Sequence, residues 1–287
     1  MRRRELLGTI AAAGTLAAQT RPTIQRKGRI KQGLWTSNFG QTDLSFEQLC
    51  AEAARLGAHG FDMRPPAQWP VLKQHGLVPT LGGTGGANFQ NGLIHPEGHD
   101  KLVESVSAWI DTLADNNIGT FITVGGQRRG MSDEEGLRNA VAVLKRLQPK
   151  LQARNVTIAL ENMNNKRLDP AFGREDQICG HFSWGIEMCK RVDSPNVKMV
   201  CDIYHLQIMD GDLARNIQAN IDWIAHFHTA GVPNRGELDG SQEINYRYIA
   251  QVIADTGYDG YVSHEFRPSP GRDPLGSIAQ AMAIMDV

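Results

Sequence analysis

The chain lacks the features that mark several common protein classes. Its 287 residues include only four cysteines, and no two of them form a Cys-x-x-Cys pair, so neither a zinc knuckle nor a thioredoxin-type motif is indicated. Basic and acidic side chains number 30 and 31, and the net charge of −1 gives no general attraction to nucleic acid or to an anionic membrane. We therefore predict no nucleic-acid partner, and no membrane contact beyond the N-terminal segment.

Nucleotide-binding glycine motifs are also missing. Residues 82–86 are Gly-Gly-Thr-Gly-Gly and follow an apolar run, as phosphate-binding loops do. The stretch has neither the lysine of a P-loop nor the Gly-x-Gly-x-x-Gly spacing before a helix. We predict a flexible loop at this position and no nucleotide site.

Residues 1–29 are typical of an export signal followed by a linker. Arg2-Arg3-Arg4 precedes Leu6-Leu7 and a mildly apolar stretch of small residues that ends in Ala17-Ala18. The Arg-Arg-x-Leu-Leu pattern resembles a twin-arginine signal, which serves proteins exported in the folded state, so we predict a periplasmic location. There, a disulfide between Cys179 and Cys189 is an alternative to two buried free thiols.

The remainder, residues 30–287, alternates short apolar runs with amphipathic segments. With 41% hydrophobic residues it can bury a large core as one domain. Eight strand-then-helix units predict an α/β fold, a single (β/α)8 TIM barrel with a closed parallel sheet. The predicted strands are residues 33–35, 60–63, 77–81, 120–124, 156–160, 197–201, 224–227 and 260–264.

Four side chains that can bind a metal follow the last four of these runs. They are Glu161, Asp202, His228 and Glu265. In a parallel barrel the strand ends lie on one rim, and neighbouring strands are about 4.8 Å apart, so these side chains can converge on one ion. One imidazole with three carboxylates suits a single divalent cation, Mg²⁺, Mn²⁺ or Co²⁺, with Zn²⁺ as a further candidate.

Polar residues near these positions are candidates for substrate binding. His205 follows Asp202 by three residues, one turn along a helix, where it either holds a substrate hydroxyl or supports the strand end. Arg235, on the loop after the strand of His228, either pairs with an oxyanion or lies at the surface. His226 shares the side-chain parity of His228, and we expect it to pack rather than bind. His264 should face a helix.

Three stretches resemble a known family. They are Cys-Asp-Ile-Tyr-His-Leu-Gln at residues 201–207, His-Phe-His-Thr-Ala-Gly-Val-Pro-Asn-Arg at 226–235, and His-Glu-Phe-Arg-Pro at 264–268. They resemble hydroxypyruvate isomerase and, more broadly, the xylose isomerase-like barrels that include ketose 3-epimerases. The resemblance implies that the metal ligands are Glu161, Asp202, His228 and Glu265. It implies that Glu161 and Glu265 are also the acid/base pair. It implies substrate contacts by His205, Arg235 and Asn164.

What the resemblance implies chemically is proton transfer through an enediolate of a small hydroxy-carbonyl or sugar substrate. Return of the proton at the neighbouring carbon gives isomerisation, and return on the opposite face gives epimerisation. His228 stands where hydroxypyruvate isomerases usually carry glutamine and epimerases carry histidine, whereas Arg167 stands where epimerases have a second glutamate. Both reactions therefore stay open, with the isomerase preferred.

Two alternatives belong to other classes. A related barrel hosts an abasic-site endonuclease with three zinc ions, but Met63 and Leu81 stand where its histidines would be expected. The second alternative is a periplasmic sugar-binding barrel that has lost turnover, and the presence of both glutamates argues against it. Barrels of this family often form homo-oligomers, so the resemblance implies one here, although no periodic feature of this sequence indicates it.

Overall fold

The computed structural model of the protein describes residues 22–40, 42–166 and 176–287. The predicted export signal and Arg167 lie outside the described residues.

Eight parallel strands form the barrel that the sequence predicts. Their order in the sheet is β3-β2-β1-β8-β7-β6-β5-β4, and a parallel bridge from Gly82 to Phe121 joins β3 to β4. The Gly82 amide donates to the Thr120 carbonyl at 2.9 Å, so the sheet closes on itself. The strands are β1 (Lys31–Leu34), β2 (Gly60–Asp62), β3 (Val78–Leu81), β4 (Thr120–Thr123), β5 (Thr157–Glu161), β6 (Val197–Asp202), β7 (Ile224–Thr229) and β8 (Tyr261–His264).

Helices connect successive strands around the outside. One of them, α6 (Ile203–Met209), begins directly after β6, which places His205 one turn along a helix from Asp202. It begins there because the Asp202 side chain accepts a hydrogen bond from the His205 amide and caps the first turn. In the described residues the α-helices are α1 (Phe46–Arg55), α2 (Trp69–Gln74), α3 (His99–Asp115), α4 (Asp133–Arg154), α5 (Phe182–Val192), α6 (Ile203–Met209), α7 (Leu213–Asn220), α8 (Tyr246–Asp255) and α9 (Pro274–Ile284).

Apolar side chains fill the space on both sides of the sheet. Leu81, Ile122, Ala159 and Val200 form a layer inside the barrel, and a larger core lies between the strands and the helices. Polar side chains stand beside these four apolar side chains at the same level, since Val200 is paired in register with His226 and Leu81 with Asp62. No helix among the described residues is both long and apolar enough to span a bilayer.

The cysteines are buried and unpaired. Cys50, Cys179, Cys189 and Cys201 are all free thiols, as expected for small hydrophobic residues, and the alternative of a Cys179–Cys189 disulfide is not what the structure contains.

Residues 24–27, which precede β1, lie against the barrel. The Ile24 amide donates to the Arg55 carbonyl at 2.8 Å, and Arg26 Nε donates to the Leu56 carbonyl at 3.0 Å. Both acceptors stand at the end of α1, which leads into the start of β2. The segment therefore occupies the face where strands begin, opposite the strand ends that carry the candidate ligands.

Candidate active site

The four candidate ligands meet at the rim formed by the strand ends. Ligand atoms of Glu161, Asp202, His228 and Glu265 all lie within 4.8 Å of one another, and all four residues are buried. The sheet register explains part of this, because Asp202 on β6 is paired directly with His228 on β7. The Glu265 amide donates to the Thr229 carbonyl at 2.9 Å, which extends the β7–β8 pairing by one residue. We call these four residues the carboxylate–histidine cluster.

The donor set of this cluster fits a divalent cation. His228 Nδ1 lies 2.8 Å from Glu161 Oε1 and 3.0 Å from Glu265 Oε2. Without a cation, Nδ1 donates a proton to these oxygens. Burial would lower the pKa of His228, but the surrounding carboxylates, above all Glu265, raise it well above its usual value. A bound cation would replace that proton on Nδ1. Carboxylate oxygens and one imidazole nitrogen are ligands that Mg²⁺, Mn²⁺, Co²⁺ and Zn²⁺ all accept.

Burial and neighbouring charges give the two glutamates of the cluster different pKa values. Burial, only partly opposed by His228, raises the pKa of Glu161 to about 7. Burial would also raise the pKa of Glu265, but the Arg235 guanidinium and His228 lower it below its usual value. Glu161 therefore titrates near neutral pH in the protein without a cation, while Glu265 stays ionised.

Arg235 is buried beside the cluster and not at the surface. Its Nη2 lies 2.9 Å from Asp202 Oδ2 and 2.7 Å from Glu265 Oε2, and its guanidinium carbon lies 4.8 Å from the centre of the Tyr204 ring. A buried arginine between two carboxylates offsets part of their charge. Burial would raise the pKa of Asp202, yet His205 and Arg235 lower it to about 2.

Two contacts hold the ring of His205. Arg235 Nη1 lies 3.1 Å from His205 Nε2, and Asn164 Nδ2 lies 2.7 Å from His205 Nδ1. Because arginine can only donate, Nε2 accepts from Arg235, and the ring lies between this guanidinium and the Asn164 amide. Burial lowers the pKa of His205 to about 4, so the ring is neutral at pH 7.

Asn162 holds the strand end that carries Asp202. Its Nδ2 donates to the Asp202 carbonyl at 3.1 Å, and the Asp202 amide donates to Asn162 Oδ1 at 2.9 Å. This reciprocal pair joins the ends of β5 and β6. No sequence feature indicated this pair beyond the position of Asn162 directly after Glu161.

Asp62, at the end of β2, is the residue that sequence reasoning missed. Its carboxylate lies across the barrel and accepts from His226 Nε2 at 3.0 Å and from His228 Nε2 at 3.1 Å. Asp62, His226 and His228 thus form a second group of metal-capable side chains that shares His228 with the first. His226 is buried, as expected. His264 faces the helix side of the sheet, as expected: its Nε2 contacts the Gln32 side-chain oxygen, and the Gln32 amide donates to the Met282 carbonyl in α9.

The chain matches a known protein family and several curated relatives. Residues 50–286 match the family described as xylose isomerase-like TIM barrel. The chain is 38% identical to 2-oxo-tetronate isomerase of Cupriavidus necator over 120 residues, covering 42% of this chain and 43% of that protein. It is 31% identical to hydroxypyruvate isomerase of Escherichia coli over 148 residues, covering 50% and 54%. The matched regions thus span about half the length of these curated relatives.

The fold is shared with solved structures as well. A crystal structure described as an AP endonuclease, family 2, from Brucella melitensis aligns with a TM-score of 0.73 and 24% identity, covering 88% of this chain and 97% of that one. At this identity the likeness shows the barrel fold alone.

Proposed function

Because this chain belongs to the xylose isomerase-like TIM barrel family, we propose that it is a metal-dependent isomerase of a small hydroxy-carbonyl compound. The observation that carries this proposal is the convergence of three carboxylates and one imidazole within 4.8 Å at the strand ends of the barrel. In TIM-barrel enzymes the active site lies at this end of the strands. The names of the relatives, 2-oxo-tetronate isomerase and hydroxypyruvate isomerase, support a hydroxylated 2-oxo acid as substrate.

The carboxylate–histidine cluster would hold one divalent cation, Mg²⁺, Mn²⁺ or Co²⁺, with Zn²⁺ as a further candidate. Such an ion, when bound, polarises a substrate carbonyl and so makes the adjacent C–H more acidic. The protein contributes Glu161, Asp202 and Glu265 through oxygen and His228 through Nδ1, since its Nε2 faces Asp62. Burial of all four excludes water from their far sides and keeps them oriented.

Proton transfer is the role we propose for Glu161 and Glu265. Glu161 would ligate the cation through one carboxylate oxygen and take up the substrate proton on the other. Burial, which raises the pKa of Glu161 to about 7 without a cation, makes this carboxylate a stronger base than an exposed glutamate. Glu265 is kept ionised by Arg235 and stands ready to accept a proton from the other side of the cluster. The pair thus allows removal of a proton from one carbon and its return at the neighbouring carbon.

Substrate contacts are the role we propose for His205, Arg235 and Asn164. These three side chains form a chain of contacts beside Asp202, with Arg235 and Asn164 bound to opposite nitrogens of the His205 ring. A guanidinium and a neutral imidazole can hold a hydroxyl or carboxylate oxygen of the substrate without moving a proton.

Solvent-deuterium exchange tests this function directly. The protein is incubated in D₂O with Mg²⁺ or Mn²⁺ and with hydroxypyruvate, tetruloses, pentuloses or hexuloses, and the substrates are analysed by mass spectrometry. We expect incorporation at the carbon next to the carbonyl for at least one compound, and its loss after chelation. Absence of exchange in the whole panel, with metal bound, would support the sugar-binding barrel without turnover.

An epimerase of ketoses is the second candidate, because His228 occupies the position where the sequence resembles the epimerases. Analysis of the product distinguishes the two, since an isomerase moves the carbonyl and an epimerase inverts one carbon.

For the endonuclease hypothesis the discriminating quantity is the number of metal ions per chain. Met63 directly follows β2 and Leu81 ends β3, and neither side chain can ligate zinc as a histidine does.

We further propose that residues 1–29 direct export of the folded barrel, residues 30–287, to the periplasm. Replacing Arg3 and Arg4 together by lysine should retain the protein in the cytoplasm if the twin-arginine pattern is used. Export of the double variant at the normal level, measured by cell fractionation, would contradict this.

A further inference from the structure

We propose that Asp62 is a positioning residue that orients His228 for the cation through a hydrogen bond to the far side of its ring. This inference rests on the proposed metal site and adds to it a residue from β2, on the opposite side of the barrel. His228 Nε2 lies 3.1 Å from Asp62 Oδ2, whereas Nδ1 of the same ring lies 2.8 Å from Glu161 Oε1. The ring therefore spans from the Asp62 carboxylate to the carboxylate–histidine cluster.

A proton on Nε2 is required by this geometry. Asp62 offers only acceptor oxygens when ionised, so the imidazole must donate from Nε2. Nδ1 faces the Glu161 and Glu265 oxygens and carries a proton as well without a cation. A bound cation would replace the proton on Nδ1, while the one on Nε2 stays with Asp62. Metal-bound histidines usually donate their second N–H to a carboxylate or carbonyl in this way, which fixes the tautomer and the ring orientation. Asp62 also places negative charge behind the ring, which makes Nδ1 a stronger ligand.

The Asp62 carboxylate is itself held in place. Its Oδ1 accepts from the Thr80 and Ser263 hydroxyls, the latter at 2.8 Å, and its Oδ2 accepts from Trp35 Nε1 at 3.1 Å as well as from the two histidines. The strand beside it leaves room for this arrangement, because a Cβ at Gly33 would lie 2.3 Å from Ser263 Oγ. A carboxylate fixed by donors from several strands keeps the ring that contacts it from turning.

A second cation among Asp62, His226 and His228 is the competing interpretation of the same residues. It is disfavoured because Asp62 Oδ2 already faces three N–H groups, and the Trp35 indole can only donate. An ion there would also have to take Nε2 of His228, which Asp62 orients. We therefore expect one ion per chain, and not two.

Metal binding by wild type, Asp62→Asn and Asp222→Asn tests the role of Asp62. Asparagine keeps the size of the side chain but removes its charge, and Asp222→Asn makes the same chemical change at an exposed position away from the site. Calorimetric titration of the chelator-treated full chain with Zn²⁺ should give one site in wild type. Asp62→Asn should bind about 10–100-fold more weakly, while Asp222→Asn should change the affinity by less than about threefold.

A second measurement uses wild type alone and therefore does not depend on the folding of a variant. In the zinc-loaded protein, long-range ¹H–¹⁵N spectra of the histidine rings should show a proton on Nε2 of His228 and none on Nδ1. The opposite tautomer, equal affinity of Asp62→Asn and wild type, or two zinc ions per chain would overturn the role of Asp62. Failure of wild type to bind zinc at all would instead overturn the metal site together with this inference.

Discussion

Replacement of Glu161 by glutamine separates its chemical role from its structural one. The substitution keeps the shape of the side chain and an oxygen that can face His228 Nδ1, which lies 2.8 Å from Glu161 Oε1. It removes the ability to take up a proton. A general acid/base contributes about 10²–10⁴-fold to a rate, and each tenfold step is 1.36 kcal/mol, so the barrier should rise by about 3–5 kcal/mol.

The thermal stability of Glu161→Gln should not fall together with its activity. Burial raises the pKa of Glu161 to about 7, above its value in the unfolded chain, so the ionised carboxylate destabilises the folded protein increasingly as pH rises from the unfolded pKa to the folded one. Without metal, Glu161→Gln should therefore be at least as stable as wild type at pH 8, as measured by thermal unfolding.

The assay for Glu161→Gln is the rate of deuterium incorporation into substrate, normalised to bound metal. Glu187→Gln is a matched control, because it makes the same chemical change on the surface of α5, where Glu187 pairs with Arg191. We expect wild-type exchange in the control and a loss of at least about 100-fold in Glu161→Gln. Full exchange by Glu161→Gln at equal metal content would refute its role in proton transfer.

Three further predictions address the surroundings of the site. Affinity for Mn²⁺ should rise from about pH 6 to pH 8, because the proton on Glu161, whose pKa is about 7, must leave before the cation binds; an affinity independent of pH would contradict this. His205→Gln should raise KM more than it lowers kcat, since it releases Arg235 but leaves the glutamates in place, and steady-state kinetics would show the reverse if His205 moved a proton. Thiol titration should detect neither Cys179 nor Cys189 in the native protein but all four cysteines after unfolding, whereas only two would indicate a disulfide.

The position of the carboxylate–histidine cluster was predictable because a parallel barrel allows little freedom at its rim. Each strand runs from one face to the other, so a side chain that ends an apolar run must lie at the same rim as its neighbours. The alternation of apolar runs therefore predicted both the fold and the meeting of Glu161, Asp202, His228 and Glu265. Their roles as ligands and as acid/base groups stay predictions until a cation is observed.

Contacts across the barrel were not predictable in the same way. Asp62 is a single acid in a short buried strand, and its partner His228 is 166 positions away along the chain. Nothing in the local pattern distinguishes it from an ordinary polar residue at a strand end. The contacts of His205 were equally hidden, because Arg235 and Asn164 approach its ring from two separate loops.

The most direct test of the central claim is a crystal structure of the zinc-soaked protein, with the ion located by its anomalous scattering. One peak should lie about 2.0–2.2 Å from His228 Nδ1 and from carboxylate oxygens of Glu161, Asp202 and Glu265. A peak beside Asp62 and His226 instead, or no peak inside the barrel mouth, would contradict the account.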